Sequence, residues 1–326
     1  MAADTKIQWA RHTLNFWWGC TKVSEACQFC YAMMMDLMRG PLFDKGRTHW
    51  GATAPRWLRL ERAVADAKKF NRLAANDAER PRVFVNSMSD TFEDHPALPP
   101  AREVLFSTIE PLTSCNWLLL TKRPENILAM VPAHWRKQWP AHVWIGTTVE
   151  NQARATERIP ELLKVPARVH FLSCEPLLGP LDLVQWLHPD GRCGECLKLI
   201  EVTRTAISCD CCVEGPEAIC TRTDLIDWVI CGGESGPHAR EFDIGWARKL
   251  RDQCKAAGVP FFMKQYGSNS VIDNRDMMPA QPEDADPADV GDYASYFIVR
   301  NHLNDSHGGD WAEWHADLRV REVPEI

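Results

Sequence analysis

Six short apolar runs, each ending in polar residues, constrain the fold of this chain more than any other feature. They are RVFVNSMSD (82–90), NWLLLTKRP (116–124), HVWIGTTVEN (142–151), RVHFLSCEP (168–176), DWVICGGESG (227–236) and VPFFMKQYG (259–267). Their centres are rich in Val, Ile, Leu, Phe or Trp and do not alternate with polar residues. That is the pattern of strands buried on both faces of a parallel sheet. TLNFWWG (13–19) predicts a first strand. Helical spacing fills the gaps at 54–76, 96–112, 151–165 and 244–258. The second of these opens on prolines, as a helix N-terminus allows, and the last closes on Gly258, as a C-cap does. The alternation predicts an α/β fold: a parallel (β/α) partial or full TIM-like barrel with right-handed crossovers.

The barrel is expected to span residues 1–267, interrupted at 186–226 by a cysteine-rich insertion expected to bind zinc. Residues 268–326 form a C-terminal tail. Its middle, AQPEDADPADVGDY, is acidic and proline-containing, the composition of a loop or disordered stretch. Its end, GGDWAEWHADLRVREVPEI, is compatible with an ordered segment.

Composition narrows the setting. No run of about 18 apolar residues suggests a membrane span, and the N-terminus MAADTKIQWA lacks the pattern of a secretion signal. A cytoplasmic protein is expected. The net charge of −7 argues against a basic surface that wraps nucleic acid non-specifically, while leaving room for a local basic groove. Fourteen tryptophans are expected in the core or lining a cleft.

In a parallel barrel the strand C-termini gather at one mouth, where ligands and catalysis belong. Here those ends carry Cys20; Asn86, Ser87, Ser89 and Asp90; Thr121, Lys122 and Arg123; Thr147, Thr148, Glu150 and Asn151; Ser173 and Glu175; Gly232, Gly233, Glu234 and Ser235; and Lys264 and Gln265. One polar loop is explained by solvation alone. A whole series of them, each directly after an apolar strand, points to a site.

The thirteen cysteines are clustered, and in a reducing compartment they read as metal ligands or small buried side chains. Cys193-x2-Cys196 and Cys209-x2-Cys212 match the two knuckles of a closed tetrahedral zinc site, which is structural because no position stays open. Cys211 or Cys220 could replace one of the four, and an auxiliary iron–sulfur cluster is the alternative occupant. Cys115, Cys174, Cys231 and Cys254 are scattered and read as packing. The motif Cys20-x6-Cys27-x2-Cys30, in WWGCTKVSEACQFCYA, differs: it follows the first strand and offers only three thiols. A catalytic zinc would usually mix in His or carboxylate, and the motif has no His.

Three cysteines, the last preceded by aromatic Phe29, in the loop after the first strand of an α/β barrel resemble the radical S-adenosylmethionine superfamily. The resemblance implies that Cys20, Cys27 and Cys30 hold a 4Fe–4S cluster whose open iron binds the cofactor, and that Phe29 packs near the adenine. It also implies a reductase partner supplying one electron. More closely, the chain is similar to a phage- and prophage-associated family of uncharacterised proteins with this three-cysteine motif. The segments that carry the similarity are IQWARHTLNFWWGCTKVSEACQFCYA, FVNSMSD, LLLTKRPENI, VWIGTTVENQ, FLSCEPLLGPLDL, WVICGGESGPHAR and AAGVPFFMKQYG, across residues 7–267. Two features depart from the superfamily. Six residues, not three, separate the first two cysteines. Gly232-Gly233-Glu234 follows a late strand rather than the second, so the superfamily's amino-binding role is not carried over to it. Ser87, Ser89 and Asp90 are the candidates for the cofactor amino group. Lys122 or Arg123 is the candidate for its carboxylate. Thr148, Glu150 and Asn151 are the candidates for the ribose. Glu175, Glu234, Ser235, Lys264 and Gln265 are candidate substrate contacts, and a nucleic-acid base or nucleotide is the candidate substrate.

Plainer readings stand beside these. Asp90 could cap the next segment. Lys122 and Glu175 could form a structural ion pair. Gly232-Gly233 could be a tight turn. His12, His49 and His95 have no partners at metal spacing. Two rival functions remain: a zinc-containing nucleic-acid or protein-binding module without redox chemistry, and a metal-dependent hydrolase or lyase using Asp90, Glu150, Glu175 and Glu234.

Overall fold

Every predicted apolar run carries a strand. β1 (His12–Leu14), β2 (Arg82–Val85), β3 (Asn116–Thr121), β4 (Val143–Thr148), β5 (His170–Cys174), β6 (Trp228–Gly232) and β7 (Phe261–Gln265) form one sheet in that order. All neighbours are parallel. The structure is a computed structural model that describes residues 5–44, 46–187, 201–203, 206–208, 225–273, 298–301 and 303–325. The sheet curls into a half-barrel, and among the described residues no pairing joins β1 to β7. The open form of the expected barrel is therefore the one observed.

Burial on both faces explains the unbroken apolar runs. Val83, Val85, Leu119, Ile145, Leu172, Val229 and Met263 belong to a core shared with the helices. Those helices are α2 (Leu60–Leu73), α3 (Pro99–Ile109), α4 (Gln152–Leu162) and α5 (Ile244–Ala257); α1 (Tyr31–Phe43) precedes them, right after the cysteine loop. The intervening strand residues Phe84, Leu118, Trp144, Phe171, Trp228, Ile230 and Phe262 form a second, helix-free core around Trp9. The Trp9 ring lies 4.7 Å from Phe84 and 6.4 Å from both Phe171 and Trp228. Large aromatics thus fill the inner face of the half-barrel, which accounts for part of the high tryptophan count.

TLNFWWG is not one strand. β1 ends at Leu14, and Trp17–Trp18 pairs antiparallel with Trp57–Leu58 instead. Asn86 causes the break. It sits at φ 58, its N–H donates to Leu14 O (2.6 Å), and its Oδ1 accepts from Phe16 N (2.9 Å). A side chain thus takes the place of the next ladder acceptor, and the chain leaves the sheet just before the cysteines.

The helix signals hold. Asn151 caps α4 by accepting from Arg154 N (3.0 Å), and Gly258 closes α5 at φ 66. The end of the chain docks on the barrel. Trp314 stacks on Tyr266 at 5.2 Å, and Leu318 is buried. Val320–Glu322 runs along the outer edge of β7, with Met263 N donating to Val320 O (2.8 Å) and Glu322 N to Phe261 O (3.0 Å). That covers an otherwise unpaired edge. No helix among the described residues is long and apolar enough to cross a membrane. The acidic stretch at 280–293 and the expected zinc ligands Cys193, Cys196, Cys209 and Cys212, with Cys211 and Cys220, lie outside the described residues. Within the cysteine-rich region, Glu201–Thr203 pairs antiparallel with Ala206–Ser208.

Candidate cysteine-loop site at the sheet edge

Parallel strands place all their C-termini on one edge, and the cysteine loop is fastened there. Gly19 starts it. Its N–H donates to Met88 O (3.1 Å), its φ is 106°, and a Cβ there would lie 2.3 Å from His49 O, so only glycine fits. Asn15 Oδ1 accepts from Met88 N (2.8 Å), Ser89 Oγ donates to Trp17 O (3.1 Å), and Gly51 N donates to Cys20 O (3.0 Å). At the far end of the loop, the Tyr31 hydroxyl donates to Ser87 O (2.7 Å).

Two buried arginines clamp the start of the cysteine loop. Arg56 makes two bonds to Glu93 (Nε–Oε2 2.9 Å, Nη2–Oε1 2.7 Å) and also donates to Thr21 Oγ1 and to the carbonyls of His49, Gly51 and Ala54. Arg123 pairs with Asp90 (Nη1–Oδ2 2.8 Å), donates to Thr21 O (2.7 Å) and reaches Cys20 Sγ at 3.7 Å. Two more arginines hold the middle of the loop. Arg154 of α4 binds Glu25 (Nε–Oε2 3.1 Å). Arg240, fixed by Glu234 through Nε–Oε2 (2.9 Å) and Nη2–Oε1 (2.7 Å), donates to Glu25 O (2.9 Å). The Arg240 guanidinium also lies 5.4 Å from the Phe29 ring, which stacks with His238 at 5.7 Å.

Cys20, Cys27 and Cys30 are free thiols, each half-buried. Cys20 keeps some solvent contact, yet its depth in the molecule pushes the thiol from 9.0 up to about 12. The charges of Asp90 and Glu93 add to the rise and Arg123 opposes it. Burial works against the charge of Arg123, but Asp90, Cys20 and Glu93 outweigh it and hold the guanidinium protonated. Among the described residues no group of three or more His, Cys, Asp or Glu side chains stands at metal-holding geometry. The three free thiols supply the donor type of a thiolate-bound group, but the structure does not gather them around one centre.

The other predicted residues fall into sets. Ser87 exchanges hydrogen bonds with the Asn15 side chain (3.1 and 3.4 Å), and Ser89 is tied to Trp17. Asp90 accepts from Phe92 N, Thr121 Oγ1, Lys122 N and Arg123. Its bond from Phe92 N is the local turn that its capping reading expects. These three side chains brace the cysteine loop. Lys122 is half-buried, and its ammonium has no partner among the described residues. Thr148 is buried at the end of β4, and its carbonyl accepts from Arg158 (2.9 Å). Glu150 is fully buried and pairs with Arg158 (2.8 Å), and the half-buried Asn151 side chain caps α4, so each is engaged within the fold. Glu175 pairs with Lys264 (2.9 Å), not with Lys122. Among the described residues Glu175 Oε1 has no hydrogen bond, while Oε2 accepts from Trp9 Nε1 (3.3 Å). Gln265 Nε2 donates to Ser235 Oγ (2.6 Å) and Gly233 O (2.9 Å). A Cβ on Gly233 would lie 2.1 Å from Tyr266 O, so close backbone approach rather than a turn explains that glycine. His12 stacks on Phe70, His95 accepts from Ala97 N, and His49 is buried between Asp36 (2.7 Å) and Asp44 (3.0 Å).

Arg56, Glu93, His238, Arg240 and Tyr31 escape sequence reasoning. Tyr31 closes the cysteine motif, and His238 and Arg240 lie in the segment WVICGGESGPHAR, so adjacency to a motif could have flagged them. Arg56 and Glu93 carry no local signal. The comparison with curated proteins found no match, and neither did the comparison with solved structures. A family model matches residues 4–294, which is most of the chain, and the chain therefore belongs to the family described as protein of unknown function (DUF5131).

Proposed function

We propose that this chain is a radical S-adenosylmethionine enzyme of partial TIM-like architecture, in which Cys20, Cys27 and Cys30 hold a 4Fe–4S cluster at the sheet edge. The observation that carries the reading is the loop itself. Three unbridged thiols sit on one segment, and arginines from four places in the chain fasten it over the end of the sheet where α/β folds bind ligands. When bound, the cluster would supply the electron that cleaves the cofactor's sulfonium and yields a hydrogen-abstracting 5′-deoxyadenosyl radical.

The chain's own residues do the positioning. Lys122, whose ammonium has no partner among the described residues, would meet the cofactor carboxylate in a charge-assisted contact. Phe29, backed by His238 and Arg240, offers an aromatic face for the adenine. Lys264 compensates the Glu175 charge, and Trp9, in the aromatic core of the inner face, donates to the same carboxylate. A nucleic-acid base or nucleotide is the proposed substrate, and a cytoplasmic reductase the proposed electron source. A structural zinc at Cys193, Cys196, Cys209 and Cys212 belongs to the same proposal.

The test is cofactor turnover. Reconstituted, reduced protein should convert S-adenosylmethionine to 5′-deoxyadenosine and methionine, and single Cys20→Ala, Cys27→Ala and Cys30→Ala variants should not. Absence of cleavage by protein that contains only zinc would favour a binding module without redox chemistry.

A further inference from the structure

We propose that the outer face of α1 docks on an anionic lipid surface, with the exposed apolar side chains inserted among the acyl chains and the neighbouring cations among the headgroups. This holds whatever the three thiols bind, and it stands apart from the cluster reading above.

Exposed apolar side chains concentrate on this one element. Nine large hydrophobic side chains are exposed among the described residues. Four of them, Tyr31, Met34, Leu37 and Met38, lie on α1, and a fifth, Val23, lies on the loop before it, each between 43% and 66% exposed. Positions 31, 34 and 38 stack along one stripe of the helix, with 37 beside them. The opposite face is committed to the protein. Ala32 and Met35 pack with Trp18 and Met88, and Asp36 is fully buried against His49. A contiguous exposed apolar face of this kind marks contact with a protein or a membrane.

Charge decides between occupants. Among the described residues from 22 to 47 every carboxylate is engaged, Glu25 with Arg154 and both Asp36 and Asp44 with His49. The cations are not paired with acids. Lys22, beside Val23, donates only to the Gln28 carbonyl, and the exposed Arg39, beside Met38, and Arg47, just past the helix, have no partner among the described residues. Free positive charge thus accompanies the apolar face on a chain whose net charge is −7. A second copy would set these cations against their own kind. One 13-residue helix, about 20 Å long, also offers far less than the ~800 Å² a side that stable interfaces bury. A nucleic-acid strand would satisfy the cations, but its bases stack on flat rings and give Met34, Leu37 and Met38 no aliphatic surface. An acidic protein would need a preformed groove to enclose this convex face, whereas fluid acyl chains close around it. An anionic bilayer supplies both halves of the match, apolar chains beneath a negative surface. With 13 residues α1 is too short to span a bilayer, so it lies on the surface.

The experiment is co-sedimentation of the full chain, as purified, with vesicles of phosphatidylcholine alone and of phosphatidylcholine mixed with phosphatidylglycerol. Wild type should pellet with the anionic vesicles and not with the neutral ones, and raising the salt from about 50 to about 500 mM should release it. Arg39→Gln/Arg47→Gln should weaken the partitioning roughly thirtyfold, at about 1 kcal/mol per cation near the surface and 1.4 kcal/mol per tenfold. Met34→Ser/Met38→Ser should no longer pellet. Both double variants change only exposed side chains and should keep the wild-type urea midpoint. Wild type that ignores the anionic vesicles overturns the inference. So does equal binding to both kinds of vesicle, or wild-type binding by Met34→Ser/Met38→Ser. Binding of an oligothymidylate in place of vesicles, lost in the same variants, gives the face to nucleic acid. A dimer in place of vesicle binding, lost in Met34→Ser/Met38→Ser, gives it to a second copy. Either result overturns the inference and leaves the cluster reading untouched.

Discussion

Arg56→Met should be among the most damaging single substitutions in this protein. The Arg56 and Glu93 side chains are 0% and 2% exposed. Removing the guanidinium leaves a buried carboxylate whose next cation, Arg123, stands 3.9 Å away and is already engaged with Asp90. It also strips donors from three carbonyls and from the Thr21 hydroxyl. Breaking a buried pair by removing one partner costs about 3–5 kcal/mol. At 1.4 kcal/mol per tenfold, the folded-to-unfolded ratio should fall by roughly two to three and a half powers of ten. The double variant Arg56→Met/Glu93→Met removes the stranded charge as well, so it should be more stable than Arg56→Met alone. Urea unfolding followed by tryptophan fluorescence reads both. Hydrogen exchange at the Gly19 and Gly51 amides, which bond to Met88 O and Cys20 O, should show the loss at the cysteine loop itself. An Arg56→Met protein within about 0.5 kcal/mol of wild type, the usual range of unimportant surface changes, would refute the reasoning. So would a double variant as unstable as the two singles added together.

Other perturbations have equally definite outcomes. Gly19→Ala forces a Cβ to 2.3 Å from His49 O at a positive φ, and it should lower the urea midpoint and weaken iron retention together. Trp9→Ala should cost about 3–5 kcal/mol, as large core aromatics do, and should flatten the near-ultraviolet circular dichroism of the inner aromatic cluster. Cys20 sets a pH dependence in the metal-free protein. Its folded pKa is raised from 9.0 to about 12, so its contribution to stability is fully present below about pH 9 and is lost as pH rises toward 12, because the unfolded chain ionises first. Comparing the unfolding midpoints of wild type and Cys20→Ser from pH 8 to 11 isolates that slope. A parallel course for the two proteins would contradict it.

The fold was legible in the sequence because its signal is local. Runs such as NWLLLT and VWIGTT are apolar on both faces, and both faces are buried, one by helices and one by the aromatic interior around Trp9. The end of α5 was legible for the same reason, since Gly258 acts within one turn, whereas Asn151, expected at the ribose, caps α4 instead. The first strand was misjudged because a residue about seventy positions away, Asn86, ends it. The helix Tyr31–Phe43 escaped because YAMMMDLMRGPLF is apolar nearly throughout and has a Gly-Pro pair inside it, so it shows little periodicity. At the site, the cysteines, Asp90, Lys122 and Glu234 stood out by their place after strands. Their partners did not: Arg56 and Glu93 are 37 positions apart, and Glu175 chose Lys264 over Lys122. Ion pairing across a sheet edge depends on which strand ends become neighbours, and no local spacing encodes that.

The central claim is that three thiols on the strapped loop hold a 4Fe–4S cluster with one iron open. Iron and sulfide analysis of anaerobically prepared protein, joined to the paramagnetic resonance spectrum of its reduced form with and without S-adenosylmethionine, tests it most directly. The expected result is iron and sulfide at 4Fe–4S stoichiometry, lost in the Cys20/Cys27/Cys30→Ala triple variant, and a reduced spectrum that changes when the cofactor binds the open iron. Colourless wild-type protein containing zinc alone, or a cluster that survives the triple substitution, would contradict it.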